Sequence, residues 1–448
     1  MAPGPPSAGV GVVAPARTPP RRRPAERGNS APDGHTVKIP PSLRSTPPER
    51  RTRGDLLAAA AIVVVIAVAA GLIWWSSDAR ATISRPAAEP VPALKAARDV
   101  PTSLRELWTA SSPKTSRPVV AGGAVVTGDG REVDGRDPAT GNVLWSYARD
   151  VQLCGVTYVY NDAVAVYPDD RGCGQVTTID GQTGRRHYSR TAYADPQVAL
   201  SSDGSTVLSV GDTRLELWRS DMVRMISYGA LDARIKPEVP AQPLCGMVSA
   251  AANSAAVSVL QKCPGQADMR LALLIPADEE DEPKTKIVQL PGVSADAAAR
   301  VITVSDTTTA VYLPTPKPVV NVIDDTGNTI ASTSLPAPVS PQATASRAGD
   351  LVTWWTGDSL MVFQANGLRY KYTVTPVNGQ APVGPATVMA GKLLVPVTSG
   401  YDVFNPETGA GEAHIDLVRA PTKAPVVPAV AGSTLLEQRG DTLVALGS

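Results

Sequence analysis

The chain has little of what catalysis, metal binding and nucleic-acid recognition commonly use. Its 448 residues include two phenylalanines and three histidines, and only His187 and His414 lie beyond residue 75. No C-x-x-C pair, H-E-x-x-H helix, G-x-S-x-G elbow or phosphate-binding glycine loop occurs. Zinc ligation and the common hydrolase and nucleotide chemistries therefore have no signature here. Beyond residue 103 no stretch shows the apolar period of an amphipathic helix. Nor does one sign of charge prevail, with 42 basic residues against 42 acidic ones. The balance is uneven along the chain. Residues 1–55 hold ten Lys/Arg and four Asp/Glu, which leaves 32 against 38 for the rest. A net-acidic main portion lacks the electrostatic footprint of a nucleic-acid binder.

What is present falls into four segments. Residues 1–55 are rich in Pro, Arg, Ser and Gly, as in "TPPRRRPAERGNSAPDG". Such a tail cannot bury enough surface to offset its ordering entropy, and it is expected to be disordered. Leu56 to Trp75, "LLAAAAIVVVIAVAAGLIWW", is 20 residues without a charge. At roughly 1.5 Å per residue it reaches about 30 Å, the hydrocarbon thickness of a bilayer. Trp74 and Trp75 suit an interfacial belt. Arg50, Arg51 and Arg53 at the other end place the N-terminus in the cytoplasm by the positive-inside rule. A secretory signal is the rival, with "ARA" at 79–81 as its cleavage site. The apolar run and the tail before it are both longer than such signals use. The expectation is a retained single-pass anchor in the plasma membrane, with everything after Trp75 outside. Residues 76–103 include "SRPAAEPVPALKAARDVP" and read as a Pro/Ala-rich spacer.

Residues 104–448 read as all-β. Short β-branched runs alternate with turn signals, as in "GAVVTGD", "STVLSVGDTRLELW" and "KLLVPVTSGYDVF". The runs repeat, since "LCGVTYVYNDAVAVYPDDRGC" (153–173) resembles "LCGMVSAAANSAAVSVLQKC" (244–263). Half the offset between them is about 45 residues, the size of one four-stranded propeller blade. Units begin near residues 118, 151, 196, 243, 295, 342, 384 and 425. A β-propeller of eight blades is expected, with seven the alternative because the fifth and sixth units are degenerate. The last unit has room for three strands. "LRELWTA" (104–110) is expected to supply its fourth and close the ring.

Cys154, Cys173, Cys245 and Cys263 all follow the apolar span, in a compartment where disulfides persist. Each of the two similar units holds one pair, 19 and 18 residues apart. The pairing expected is Cys154–Cys173 and Cys245–Cys263. Both bridges would brace one face of the ring, where the chain enters the inner strands.

A shorter signature also recurs: "DPATGNVLW" (137–145), "DGQTG" (180–184), "DDTGN" (324–328) and "NPETG" (405–409). In D-x-x-T-G the acid and the Thr can bond backbone N–H groups while Gly supplies a positive φ. Each therefore makes a turn between the last two strands of a blade. Trp145 is expected to pack between neighbouring blades. These repeats resemble the quinoprotein-type β-propeller superfamily, which includes quinone-dependent dehydrogenases and many cofactor-free scaffolds. The enzymes need an adjacent-cysteine ring, a calcium-binding carboxylate set and a catalytic Asp. This chain has no Cys-Cys pair and no obvious cation cluster. Without a metal to polarise the quinone, hydride chemistry loses its main electrostatic help. No catalytic residue, cofactor or metal is assigned.

Three local stretches stand out. "LWRSDMVRMISYG" (217–229) combines Trp218, Arg219, Asp221 and Arg224. It reads as an outer hairpin with an Arg–Asp pair, or as a basic-aromatic contact surface for a sugar or partner. "TWWTGD" (353–358) holds Trp354 and Trp355. Strand alternation would put one ring in the core and point the other away, where it could stack on a sugar. "DEEDE" (278–282) reads as a solvated hairpin loop.

The Ala/Arg/Pro-rich style, the basic tail and residues 217–229 are similar to mycobacterial and corynebacterial envelope proteins. The layout resembles the membrane-anchored periplasmic propellers implicated in polar growth, trehalose-monomycolate trafficking and lipoglycan maturation. That resemblance implies a non-enzymatic role. The chain would bind an envelope glycolipid of the trehalose-monomycolate class, beside a transporter of the resistance-nodulation-division class. It assigns no ligand residue. Two other readings fit the layout. One is a pure protein scaffold, similar to propeller subunits of outer-membrane assembly machines. The other is an extracytoplasmic sensor signalling through its tail. A lipid binder needs an apolar groove or funnel, and a scaffold a flat surface.

Overall fold

A computed structural model describes residues 52–75, 77–231, 244–377 and 379–448. The disorder expected of the tail concerns residues outside the described ones, apart from 52–55. Arg53–Trp75 form one helix, long and apolar enough to cross a membrane. It starts on a reciprocal capping box. Asp55 N–H donates to Thr52 Oγ1 at 3.2 Å, and Thr52 N–H donates to Asp55 Oδ2 at 2.8 Å. At the other end Arg80 lies over Trp75, 3.9 Å from the ring centroid, a cation–π contact.

The rest is an eight-bladed all-β propeller. In the second to seventh blades, four consecutive antiparallel strands run from centre to rim. The inner strands of the first six blades are Val119–Ala121, Gly155–Val159, Ala199–Ser202, Gly246–Ala252, Arg300–Ser305 and Thr344–Ala348. Thr387–Met389 and Val426–Ala431 complete the set. The eighth blade is closed as expected. Arg105–Ser111 pairs with the last strand, Thr442–Gly447, in the register Thr109↔Val444. Joining the two ends of the ring in one sheet removes an open edge.

The spacer expected over residues 76–103 needs correction. From Ile83 onward it is laid onto the propeller. Ile83–Arg85 adds a fifth strand to the rim of the first blade, with Ser84 opposite Tyr147. Ala87 N–H then donates to Thr183 O at 2.9 Å and Val91 N–H to Gln182 O at 2.8 Å. Val91 is buried, and Leu104 N–H reaches Asp416 O at 3.0 Å. The prolines that suggested a spacer also suit this path. Proline has no N–H to satisfy, so an extended Pro-rich segment crosses a surface with few donors left unmade.

Each seam between blades has its own apolar cluster, eight in all. Every blade is covered on both sides, so its middle strands are buried at successive residues and not at alternate ones. Leu351–Trp355 shows this, being buried throughout. That overturns the expected outward tryptophan. Trp354 packs into the seam with the fifth blade, 5.5 Å from Tyr312. Trp355 turns into the seam with the seventh, where Nε1–H donates to Pro382 O at 2.7 Å. Alternation moves a ring from one seam to the other, and not into solvent.

The D-x-x-T-G turns form as read. Asp137 Oδ1 accepts from Thr140 N–H at 2.8 Å and from Thr140 Oγ1–H at 3.0 Å, and Gly141 has φ +75°. Asp180, Asp324 and Asn405 accept from the following turn in the same way. The turns are also docking points. Trp145, on the outer strand of the first blade, donates to Gly181 O at 2.9 Å in the second blade's turn. A Cβ on Gly184 would come within 2.4 Å of Trp145, so that glycine is needed for close approach as well as for φ. Trp108 clasps Pro138 O of the first blade at 2.9 Å, and Tyr372 clasps Pro406 O of the seventh at 2.9 Å.

Candidate functional site

Residues 217–229 fold as the outer hairpin of the third blade, joining Arg214–Arg219 to Arg224–Gly229. Arg219 Nε–H donates to Asp221 Oδ1 at 3.1 Å on the exposed surface, the pair anticipated. The rest of the stretch turns inward. Trp218 is buried in the seam between the second and third blades. Its Nε1–H donates to Glu216 Oε2 at 2.8 Å.

Glu216 is the centre of this site, and its side chain is 4% exposed. Arg190 reaches it from the second blade at 3.1 Å, Arg214 lies at 2.8 Å and Arg224 at 3.2 Å. Arg224 also bonds Glu280 of the fourth blade through Nε–H, at 3.2 Å. Burial alone would raise the Glu216 carboxyl. The Arg190 charge and the bonds from Arg214 and Trp218 outweigh it and hold the group below the usual carboxylate range. A buried carboxylate is tolerable when it is ionised and fully bonded in this way. The "DEEDE" loop is therefore a hairpin loop that is tied down through Glu280, and not merely solvated. A cleft of about 690 Å³ opens above, lined among others by Arg171, Arg190, Tyr193, Asp221 and Arg224.

The structure thus separates the sequence candidates. Asp221 and Arg224 line the cleft, and Arg219 pairs with Asp221 at its edge. Trp218, Trp354 and Trp355 are buried, and Trp354 contributes to the wall of the cavity at the centre of the ring. Sequence reasoning missed Glu216, Arg190 and Glu280. A signal for Glu216 was present in "RLELWR", an acid between two leucines in a strand, which requires inward partners.

Further cavities open elsewhere among the described residues, two of which bear on ligand binding. The centre of the ring holds one of about 570 Å³, walled by the inner strands of the third to sixth blades. Another, of about 410 Å³, lies between the fifth and sixth blades. It is lined in part by Leu335, Pro336, Val339, Met361 and Tyr370. Among the described residues no group of three or more His, Cys, Asp or Glu is placed to hold a metal ion.

Ser399, His414 and Asp402 form a chain that a hydrolase could use. Ser399 Oγ is 3.3 Å from His414 Nε2, and His414 Nδ1 is 2.7 Å from Asp402 Oδ1. Asp416 approaches the same Nε2 at 3.6 Å and is 90% exposed. The three lie on the open rim of the seventh blade, outside all the cavities described above. Acyl transfer also needs positioned oxyanion donors in a water-excluded site, so this trio alone makes no active site.

Both cysteine pairs form, Cys154–Cys173 and Cys245–Cys263. Cys154 and Cys245 each immediately precede an inner strand, so both bridges lie on one face of the ring. The first ties the inner strand's approach to the third strand. The second ties it to the end of the second strand, Val257–Lys262.

No protein of curated function matches the chain. Among solved structures, the crystal structure of BamB from Moraxella catarrhalis is 15% identical. It covers 77% of this chain and 100% of its own, with a TM-score of 0.47. The C-terminal WD40 domain of Sif2 is 11% identical, covering 78% of this chain and 99% of its own, also at a TM-score of 0.47. A family model described as outer membrane protein assembly factor BamB matches residues 60–227. Over that stretch the chain carries a BamB-like repeat, set in an eight-bladed ring.

Proposed function

We propose that the chain is a membrane-anchored, non-enzymatic docking ring of the cell envelope, which takes up extended segments of protein partners at its rim. The observation that carries this reading is the five-stranded first blade. There the rim has accepted Ile83–Arg85 in antiparallel register. Outer strands of other blades, such as Arg186–Thr191 and Thr329–Ser334, are exposed along nearly their whole length. An exposed strand edge is a template for strand addition. The BamB-like repeat, from a family named for outer membrane protein assembly, supports the same reading. The anchor would be Arg53–Trp75, with Arg50, Arg51 and Arg53 on the cytoplasmic side and the propeller outside. Photo-crosslinking residues placed at Tyr188, Ile330 and Ala413 in cells test the rim. Adducts with envelope proteins at these positions are expected. Absence of adducts at all three positions would reject the reading.

A second reading has one observation in its favour. The apolar cleft between the fifth and sixth blades has room for an acyl chain, with Tyr370 at its edge. An envelope glycolipid such as trehalose monomycolate, delivered beside a transporter of the resistance-nodulation-division class, would use it. Titration with trehalose monomycolate and with chain-free trehalose decides this. Binding of the lipid alone, lost in Met361→Asp, supports it, and equal affinity for both defeats it.

A further inference from the structure

Three arginines on the wall of the central channel meet no carboxylate: Arg347, which is exposed and donates to Gly349 O, and Arg117 and Arg300, which are both partly buried. Arg117 leads into the inner strand of the first blade, and Arg300 opens that of the fifth. Both line the 570 Å³ cavity. Arg117 Nη2–H donates across the channel to Ala345 O at 3.4 Å. Arg300 Nη1–H donates to Pro341 O at 3.2 Å and to Ala343 O at 3.0 Å. Among the described residues neither forms an ion pair. By contrast Arg190, Arg214, Arg224, Arg419 and Arg439 all meet a glutamate.

A guanidinium carries five N–H donors, so these bonds leave most of the donors unspent. The acceptors Ala343 and Ala345 lie two residues apart on the sixth blade, about 7 Å along an extended chain. The two cationic heads therefore converge on one stretch of wall. Burial lowers the pKa of both, with no carboxylate to offset it, yet arginine stays protonated in proteins. Asp203, the carboxylate on the cavity wall, is engaged elsewhere. It accepts from the N–H groups of Ser205, Thr206 and Ser254 at 2.8, 2.7 and 3.1 Å. The remaining wall is built of small residues such as Ala250, Ala251 and Ala299, which leave the volume open. Both arginines sit where the inner strands begin, on the face that the two disulfides brace.

We propose that this pocket binds a phosphate-bearing solute, with Arg117 and Arg300 sharing its phosphate oxygens. Phosphate is favoured because its three terminal oxygens can serve two planar forks at once. The cavity lies within the range of small-molecule sites and has room for a sugar or headgroup attached to the phosphate. The site is separate from the rim and does not depend on strand docking there.

The test is equilibrium dialysis of the full chain in maltoside detergent. The probes are inorganic phosphate, glucose 6-phosphate, uncharged glucose, and a water-soluble short-chain phosphatidic acid, whose phosphate is a monoester. Saturable binding of a phosphate probe is expected, weakened at least tenfold in both Arg117→Gln and Arg300→Gln. Arg185→Gln, on an exposed turn, should change it less than twofold. Weakened binding of phosphate and glucose 6-phosphate points to a free solute, and of the phosphatidic acid alone to a lipid headgroup. Either supports the site, provided that thermal melting shows both variants folded. If one variant fails to fold, Arg300→Lys replaces it and should weaken binding at least threefold. Binding of no phosphate probe, or binding unchanged in the arginine variants, would overturn the proposal.

Discussion

Neighbouring blades are clasped in chemically different ways. From the eighth blade to the first, from the first to the second and from the sixth to the seventh, the clasp is aromatic. Trp108, Trp145 and Tyr372 each leave an outer strand and bond a carbonyl in the next blade's outer turn. From the second blade to the third and from the third to the fourth, the same junction is made by arginine. Arg190 donates to Met222 O at 3.0 Å in the third blade's turn, and Arg224 meets Glu280 in the fourth's. From the fourth to the fifth, Val288 takes the aromatic's place against Gly327. Three of the four signature turns take an aromatic clasp and the fourth, at 324–328, takes Val288; the cavities lie at seams without an aromatic clasp. The repeated signature therefore marks scaffold, while the departures from it mark places where the ring opens.

The largest expected effects come from breaking one aromatic clasp and one arginine clasp. Trp145→Ala removes a buried ring and its hydrogen bond and should cost about 3–5 kcal/mol, with little dependence on salt. Glu216→Ala should cost about 3–5 kcal/mol as well, because it strands buried guanidinium groups without their carboxylate. Denaturant unfolding at low and high salt separates the two. If Glu216→Ala were neutral, the arginine junction would not hold that seam.

Acidification sharpens the comparison. The Glu216 carboxyl is held below its usual range by Arg190, Arg214 and Trp218 against the effect of burial. Its contribution is thus complete above the unfolded value, about pH 4.3. It is lost as pH falls through the lower folded value. Glu437 is also lowered. There Arg419 and Arg439 outweigh burial at the seam of the seventh and eighth blades. Hydrogen exchange below about pH 4 should therefore open the third and eighth blades before the Trp145 junction. Opening at Trp145 first would contradict this.

The disulfides should have a smaller effect. Loops of 18 and 19 residues are each expected to stabilise by about 3 kcal/mol in the chain-entropy model. Cys154→Ser with Cys173→Ser, and Cys245→Ser with Cys263→Ser, should therefore shift the unfolding midpoint almost equally. A large inequality would show that one bridge acts on the native state of its blade.

Much of the ring was legible in the chain because repetition makes it so. Turn residues and β-branched runs are local signals repeated along the chain, and the paired cysteines and the single strand at 104–110 are read against that repeat. The reading of one ring of Trp354 and Trp355 as outward failed for a tertiary reason, whereas Trp145 packs between blades as expected. Strand alternation assumes one solvated face, and a blade between two others has none. The Glu216 cluster joins three blades, so no window of sequence contains its partners. Arg117 and Arg300 are 183 positions apart in the numbering, and only closure of the ring brings them to one cavity. The strap at 83–103 was hidden by composition, since the prolines that suit a free spacer also suit a chain crossing a surface.

The smallest expected effect is at Arg219 and Asp221, the pair most visible in the sequence. Their side chains are 55% and 33% exposed, so solvent and salt screen the attraction, and such pairs contribute about 0–1 kcal/mol. Asp221 also accepts from Val223 N–H at 3.1 Å, which helps to set the turn that buries Met222. Arg219→Ala should therefore shift stability by less than about 0.5 kcal/mol. Asp221→Ala should cost more, about 0.5–1.5 kcal/mol, because it removes a turn hydrogen bond too. A double-mutant cycle measured by urea unfolding isolates the pair itself, and its coupling should be below about 0.5 kcal/mol. A coupling above about 1.5 kcal/mol would mean that this exposed hairpin is clasped like the buried seam beneath it. In that case the distinction between scaffold and surface in the third blade would have to be redrawn.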